Sequence, residues 1–367
     1  MSRLLLLLVF LIPFQARIYK FLGPLSRSWI DPAWQLPTYF EPHADLFITD
    51  FLLIVVLLLV AKFWDKYLAA FLGVALLSIV VSDYASYPLP YWRWGHLVLT
   101  SVLFLGVQQF RIPLKSIAKA VLASSLVVCA VALSQYVLQH HLGLKMLGEP
   151  TIISKHTVGA HFLMPKQAIT LIDYLWNSEA VTSTILRAAG TLPHPNMLGC
   201  FLLFSLLMTW YLYEKSEKKG LLGLCFCVQI ITLFTTYSRA AIFAFAGASI
   251  LLLFKNRSIW KPLVIGTAVS VLLFFPQLFY RGGVVSALST GPAEESDVMR
   301  VTMQEVALQV IRDHPWLGVG FNNYLIAIPS YLQGKVVDTI FVHNIYLLIA
   351  AEMGLIGLAV FLLFCAY

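Results

Sequence analysis

Apolar runs separated by short polar interruptions set the pattern of this chain. Runs at 4–14, 46–61, 67–82, 95–110, 118–138, 194–213, 221–237, 240–254, 262–279 and 341–364 are predicted as helices that cross a membrane. The first is short and follows Arg3, so taken alone it resembles a signal-peptide core. No small-x-small cleavage site follows it, and it is read as a first span. A polar and aromatic stretch, 17–45, precedes the second run. Two longer stretches interrupt the series. Residues 139–193 are moderately apolar and are predicted to hold surface-lying helices, for example 167–176. Residues 280–340 mix charge, histidine and glycine. Within them, Met303, Val306, Ala307 and Val310 share one face at helical spacing, with Arg300 at its border, as in a helix lying along a membrane surface.

Charge orders these runs across the bilayer. The short loops 62–66, 111–119, 214–219 and 255–261 each carry at least two basic residues. The alternate loops, 83–94 and 237–239, carry one arginine each. This alternation puts the basic loops and the N-terminus inside and both long stretches outside. The aromatics of 83–94 suit the outer interface. The fold class expected is all-α: a polytopic membrane protein with about ten transmembrane helices and two long extracytoplasmic loops. It divides into N-terminal helices (1–138), an outer loop (139–193), central helices (194–279), a large outer loop carrying the active site (280–340) and a C-terminal helix (341–367).

Composition agrees. The chain is 59% hydrophobic and 12% charged, against about 25% charged in soluble domains. The net charge of +7 follows from the basic loops and calls for no nucleic acid. Five cysteines all fall in apolar runs and read as packing residues. His140, His141, His156 and His161 have no carboxylate or cysteine at ligand spacing, so no metal and no cofactor is expected. Gly318-x-Gly320 reads as a turn only.

Several residues stand at the outer ends of the spans. Arg239, in Thr236-Tyr237-Ser238-Arg239, reads either as a snorkelling arginine or as an anion contact. It lies on the side where the chain otherwise keeps positive charge low. Arg300 reads as a solvated charge or as a functional one. His343 begins the last run, as a cap or as a group that takes a proton near neutral pH. Asn344 beside it suits a helix cap or a bond to a sugar hydroxyl. Glu352 lies about 13 Å deeper and on the far side of the helix, so a structural hydrogen bond is expected of it. Arg187 and His194-Pro195-Asn196 introduce the sixth run, with capping the plain role for His194 and Asn196.

Three blocks resemble the O-antigen ligase and O-antigen polymerase superfamily of bacterial membrane glycosyltransferases. They are Arg187 to Asn196, Thr236-Tyr-Ser-Arg239, and the stretch from Arg300 through His314-Pro-Trp-Leu-Gly-Val-Gly320 to His343-Asn-Ile-Tyr and Glu352-Met-Gly-Leu-Ile-Gly357. The resemblance covers about half the chain, from Arg187 onward. It implies transfer of a glycan from undecaprenyl pyrophosphate to an acceptor hydroxyl on the outer face of the bacterial inner membrane, without a metal. The acceptor is lipid A core in ligases, a further repeat unit in polymerases, and protein in related members. Matched residue by residue, Arg239 and Arg300 would contact the pyrophosphate and His343 would be the base. Arg187, Asn196 and Asn344 are taken as substrate-binding. Family members usually continue with one or two further spans where this chain stops at Tyr367, so a fragment or a short member is expected. A second class, a transporter or flippase of a lipid-linked or anionic solute, stays open, as does a non-catalytic export partner. Transporters gather polar groups near the midplane, whereas here they gather at the outer mouth.

Overall fold

A computed structural model describes residues 1–14, 48–60, 65–149, 161–163, 184–255, 258–281, 292–332 and 342–367. The stretch 17–45 and the surface helix expected at 167–176 lie outside the described residues. The chain divides into two compact units, 1–17 with 111–290 and 18–110 with 291–367.

The first unit holds α1 (Ser2–Leu11), α5 (Leu114–Leu138), α6 (Pro195–Glu214), α7 (Lys219–Thr235), α8 (Arg239–Lys255) and α9 (Trp260–Arg281). The second holds α2 (Ile48–Val60), α3 (Lys66–Val80), α4 (Pro88–Gln109), α10 (Pro292–Asp313), α11 (Tyr324–Tyr331) and α12 (Ile345–Ala366). Among the described residues the fold is helical apart from an antiparallel pair of three-residue strands, His161–Leu163 with Thr184–Leu186, inside the first long stretch. Every apolar run has its helix, with ends shifted by a few residues. Three helices, α5, α6 and α12, are long and apolar enough to cross a membrane by length and composition. Shorter apolar helices, of 10–17 residues, include α1, α3, α7 and α8; α1, with 10 residues, is about 15 Å long against a hydrocarbon core of about 30 Å. About ten full spans are therefore not found among the described residues.

Local chemistry explains where boundaries differ. Helix α4 starts at Pro88, not at residue 95, so Tyr91, Trp92 and Trp94 stand on the helix. Proline suits the first helical position, where its fixed φ and missing N–H cost nothing. Trp94 Nε1 then donates to Leu72 O on α3 at 2.9 Å. Helix α3 is capped by Asp65, which accepts from the amides of Tyr67 and Leu68 at 2.9 Å each.

The core of the first unit gathers Val128, Leu202, Leu206, Phe226, Ile230 and Leu233 from α5, α6 and α7. The polar atoms of Gln229 inside it are matched. Gln229 Nε2 donates to Ser125 Oγ (2.7 Å) and Ser205 Oγ (3.0 Å), and its Oε1 accepts from Thr209 (3.0 Å). Such bonds tie helices together where water is absent.

The second unit turns on a break in α12. Gly354 has φ 67° and ψ −174°, which no helix accommodates. The break divides the helix into arms at 345–353 and 355–366. The rings of Tyr346 and Phe361 lie 6.5 Å apart, although a straight helix would separate those positions by about 22 Å. The helix is therefore sharply folded. A break frees carbonyls on one arm and amides on the other, and the turn after α10 meets both. Val319 N and Gly320 N donate to Ala351 O (3.0 Å) and Glu352 O (2.8 Å). Leu355 N and Ile356 N donate to Pro315 O (2.8 Å) and Trp316 O (3.4 Å). Backbones this close leave no room for a Cβ: at Gly354 it would collide with the Trp316 carbonyl, and at Gly318 (φ +65°) with the Ala351 and Glu352 carbonyls.

Gly354→Ala and Gly318→Ala should each lower stability by about 1–3 kcal/mol or more, from left-handed strain and backbone collision together. Gly73→Ala on α3 of the same unit, where nothing lies within 4 Å of the added Cβ, should be neutral or slightly stabilising. Thermal unfolding of the three variants in detergent checks this.

Candidate functional site

In the first unit the structure brings together Arg187, Asn196 and the corner that ends in Arg239. Arg187 is buried, at 3% exposure. Its Nε donates to Thr236 O at 2.8 Å and its Nη2 to Asn196 Oδ1 at 2.7 Å. The next residue continues the attachment, with Ala188 N donating to Thr235 O at 3.2 Å. His194 caps α6 through Nδ1, which accepts from Asn196 N at 3.0 Å.

The corner itself is strained. Tyr237 has φ +47°, a left-handed conformation that a bulky residue rarely takes. The surroundings over-determine it. Its ring is fully buried against Tyr136 and Phe274, and the two phenol oxygens of Tyr237 and Tyr136 are 2.7 Å apart. Ser238 N donates to Thr236 Oγ1 at 3.2 Å. Reversing the chain at Tyr237 starts α8 at Arg239, whose side chain is exposed beside the first free amides of that helix. A guanidinium at a helix N-terminus favours an anion.

The segment that follows Arg187 is pinned in turn from α5. Gln135 Nε2 donates to Gly190 O (2.9 Å) and to Glu149 Oε1 (2.7 Å), while its Oε1 accepts from Gly190 N (2.8 Å). Gly190 (φ +62°) presses on Val128, where a Cβ would collide. Glu149 also accepts from the amides of Leu142 and Leu144, and lies 3.4 Å from His141. Spacing along the chain did not reveal this carboxylate beside the histidine pair. His156 and the side chain of His161 lie outside the described residues.

In the second unit, Arg300 is half-buried on α10, whose Met303, Val306, Ala307 and Val310 are buried, so the apolar face read from the sequence is the packed face. It packs against α11 and the first arm of α12 rather than lying unpartnered on a surface. Val342 joins the same cluster. Arg300 thus stands one turn before Met303, and the exposed His343 stands one residue after Val342, at the edges of one apolar core. Asn344 caps α12, its Oδ1 accepting from Tyr346 N (3.0 Å) and Leu347 N (3.3 Å).

Glu352 takes the structural role expected of it. It is buried, and its Oε1 accepts from Tyr324 N at 3.4 Å. Tyr324, fully buried, donates its hydroxyl to Met303 O at 2.9 Å. Burial, with the Glu352 charge, pushes the Tyr324 phenol well above its ordinary range, so it remains a donor. A chain of bonds thus runs from the broken helix to the turn that follows Arg300. Tyr324 and its helix α11 were missed in the sequence, because eight residues containing Pro329 show no helical period.

Residues 224–362 match the family model described as O-antigen ligase. No curated protein and no solved structure matched the chain. The matched segment contains Thr236 to Arg239, Arg300, His343 and the Gly354 break; Arg187 and Asn196 precede it. The match supports assigning the chain to the O-antigen ligase and polymerase superfamily.

The Glu149 knot carries a pH signature. Burial alone would raise its carboxyl, but hydrogen bonds from Gln135, Leu142 and Leu144, with His141 nearby, outweigh burial and hold it below the ordinary range. A depressed carboxylate stabilises the fold above its unfolded pKa, and that contribution is lost as pH falls through the folded value. Lowering the pH through the folded value should therefore lower the protection of the Leu142 and Leu144 amides against hydrogen exchange, measured relative to the intrinsic rate at each pH. In Glu149→Gln their protection should already be low at neutral pH and lose this acid component.

Proposed function

We propose that this member of the O-antigen ligase and polymerase superfamily is a glycosyltransferase, moving a glycan from undecaprenyl pyrophosphate to an acceptor hydroxyl on the outer face of the bacterial inner membrane. The observation that carries the reading is the presentation of Arg239 and His343, each exposed at the start of a helix within the matched segment. His343 takes the proton from the acceptor hydroxyl. That oxygen attacks the anomeric carbon as the bond from carbon to pyrophosphate oxygen breaks, and the leaving group departs with the electron pair. One displacement inverts the configuration. Arg239 and Arg300 neutralise the departing pyrophosphate, the charge role a metal fills in other enzymes. Arg187, which also donates to Asn196, serves the substrate through Arg239 by holding the Thr236 carbonyl, and Asn344 serves it by fixing the start of α12.

A ligase would use lipid A core as acceptor, a polymerase a further repeat unit, and a protein glycosylase a protein hydroxyl; the chemistry is shared. One observation favours the transporter reading: α12 is broken, as helices are at many transport sites. At such sites the freed backbone groups face the ion or solute. Here Val319, Gly320, Pro315 and Trp316 occupy them, which supports the enzyme.

Lysine keeps the charge of arginine but not its flat fork of donors. Arg239→Lys and Arg300→Lys should each lower catalytic efficiency about ten- to a hundredfold, the loss of a charge-assisted hydrogen bond of about 1.5–3 kcal/mol. His343→Ala should leave donor affinity nearly intact and lower single-turnover rate about 10²–10⁴-fold. The wild-type rate should rise with pH through one ionisation that the variant lacks. Wild-type turnover by the folded His343→Ala protein would make the residue a cap only.

Transfer by the purified protein should also survive excess EDTA. Loss of activity that a divalent ion restores would reject neutralisation by the two arginines alone.

A further inference from the structure

The second unit contains a cleft of about 260 Å³ beside the folded α12. Three elements wall it. The turn after α3 contributes Ser82, Asp83 and Tyr84; the turn after α10 contributes His314; and α11 contributes Ser330 and Tyr331. None of the residues assigned to proton transfer or pyrophosphate contact lines it. Its floor is rigid, because the backbone of Gly318 and Val319 belongs to the turn locked into the Gly354 break. On the α3 side, Phe321 N donates to Ser78 Oγ (3.0 Å) and Asn323 Nδ2 to Ser82 Oγ (3.3 Å).

The lining selects a class of ligand. Among the described residues that line it there is no lysine or arginine to act as counter-charge for a phosphate or carboxylate. One carboxylate, two phenols, an imidazole and two hydroxyls offer acceptors and donors in alternation. The Tyr331 phenol is pushed up to about 12 by burial and by Asp313, which also accepts its hydrogen bond. Tyr84 is raised by burial and by Asp83. Both phenols therefore stay neutral, each with an aromatic face and a hydroxyl. Aromatic faces suit the C–H side of a pyranose, and a carboxylate suits adjacent hydroxyl donors. The volume lies just under the roughly 300–1,000 Å³ of sites for drug-sized molecules, and so suits one ring. We propose that this cleft is a subsite for a single uncharged, hydroxyl-rich sugar ring of the acceptor or of the donor glycan, an assignment that rests on the glycosyl-transfer reading for its place in the reaction.

The test uses the purified full chain in detergent. The methyl glycosides of glucose, galactose and N-acetylglucosamine are titrated by saturation-transfer NMR. At least one should bind, with a dissociation constant of about 1 mM, typical of a dozen non-hydrogen atoms at modest efficiency. Asp83→Asn, which keeps shape at an exposed position, should weaken it at least tenfold. Ser330→Trp should block it by filling the cleft. His343→Ala should bind the glycoside as the wild type does, and inorganic pyrophosphate should not compete. Failure of all three glycosides to bind, unchanged binding in both cleft variants, or displacement by pyrophosphate overturns the subsite. In transfer assays, a raised acceptor KM for Asp83→Asn with donor KM unchanged assigns the ring to the acceptor, and the converse assigns it to the donor. Wild-type KM values for both substrates overturn its part in the reaction. A wild-type protein that binds glycoside yet transfers no glycan overturns the enzyme reading and leaves the cleft standing.

Discussion

Exchange of backbone hydrogen bonds across the break in α12 is the constraint from which the second unit follows. A helix folded at Gly354 exposes carbonyls and amides that the apolar surroundings do not pair. One turn, 315–320, supplies donors to the first arm and acceptors to the second. Glycine is required on both sides because the backbones meet without side chains between them. The other placements depend on this contact. Glu352 reaches Tyr324, Tyr324 reaches Met303, and α10 thereby keeps a fixed height beside the first arm. The polar cleft between α3, α11 and the turn inherits the same floor.

The first unit presents its arginine by a different device. There the backbone is whole but strained at one residue, Tyr237, and burial supplies the restraint. Arg187 completes it by filling the Thr236 carbonyl with a charged donor. A buried guanidinium needs partners for its donors, and Thr236 and Asn196 are two of them. Two basic residues of one motif set thus divide the work: the buried one shapes the corner and the exposed one faces outward.

Much of this was legible in the sequence. Long apolar runs located the apolar helices, and the spacing of Met303, Val306, Ala307 and Val310 identified the packed face of α10, whereas α11 was missed. Caps at His194 and Asn344 follow from side chains that accept from free amides. The break at Gly354 was not read, because one glycine in an apolar run carries no period of its own and the partner turn lies more than thirty residues upstream. Gln135 and Glu149 were missed for the related reason that their partners are backbone groups distant in sequence. The start of α4 was misplaced because its aromatics resemble an interfacial belt, although Pro88 marks the first turn. Of the ten spans read from the sequence, three have described helices long and apolar enough to cross a membrane, because crossing depends on length as well as on apolar content.

The folded α12 has a consequence for assembly. As an isolated apolar segment it enters a bilayer only with its internal hydrogen bonds intact, that is, straight. Bending it in lipid without the turn would leave at least four backbone groups unpaired, at several kcal/mol each. The turn is translated first, but it has no docking surface until α12 follows. Bending and docking are therefore one event, and the cleft comes into existence at the moment the last helix stops being a rod.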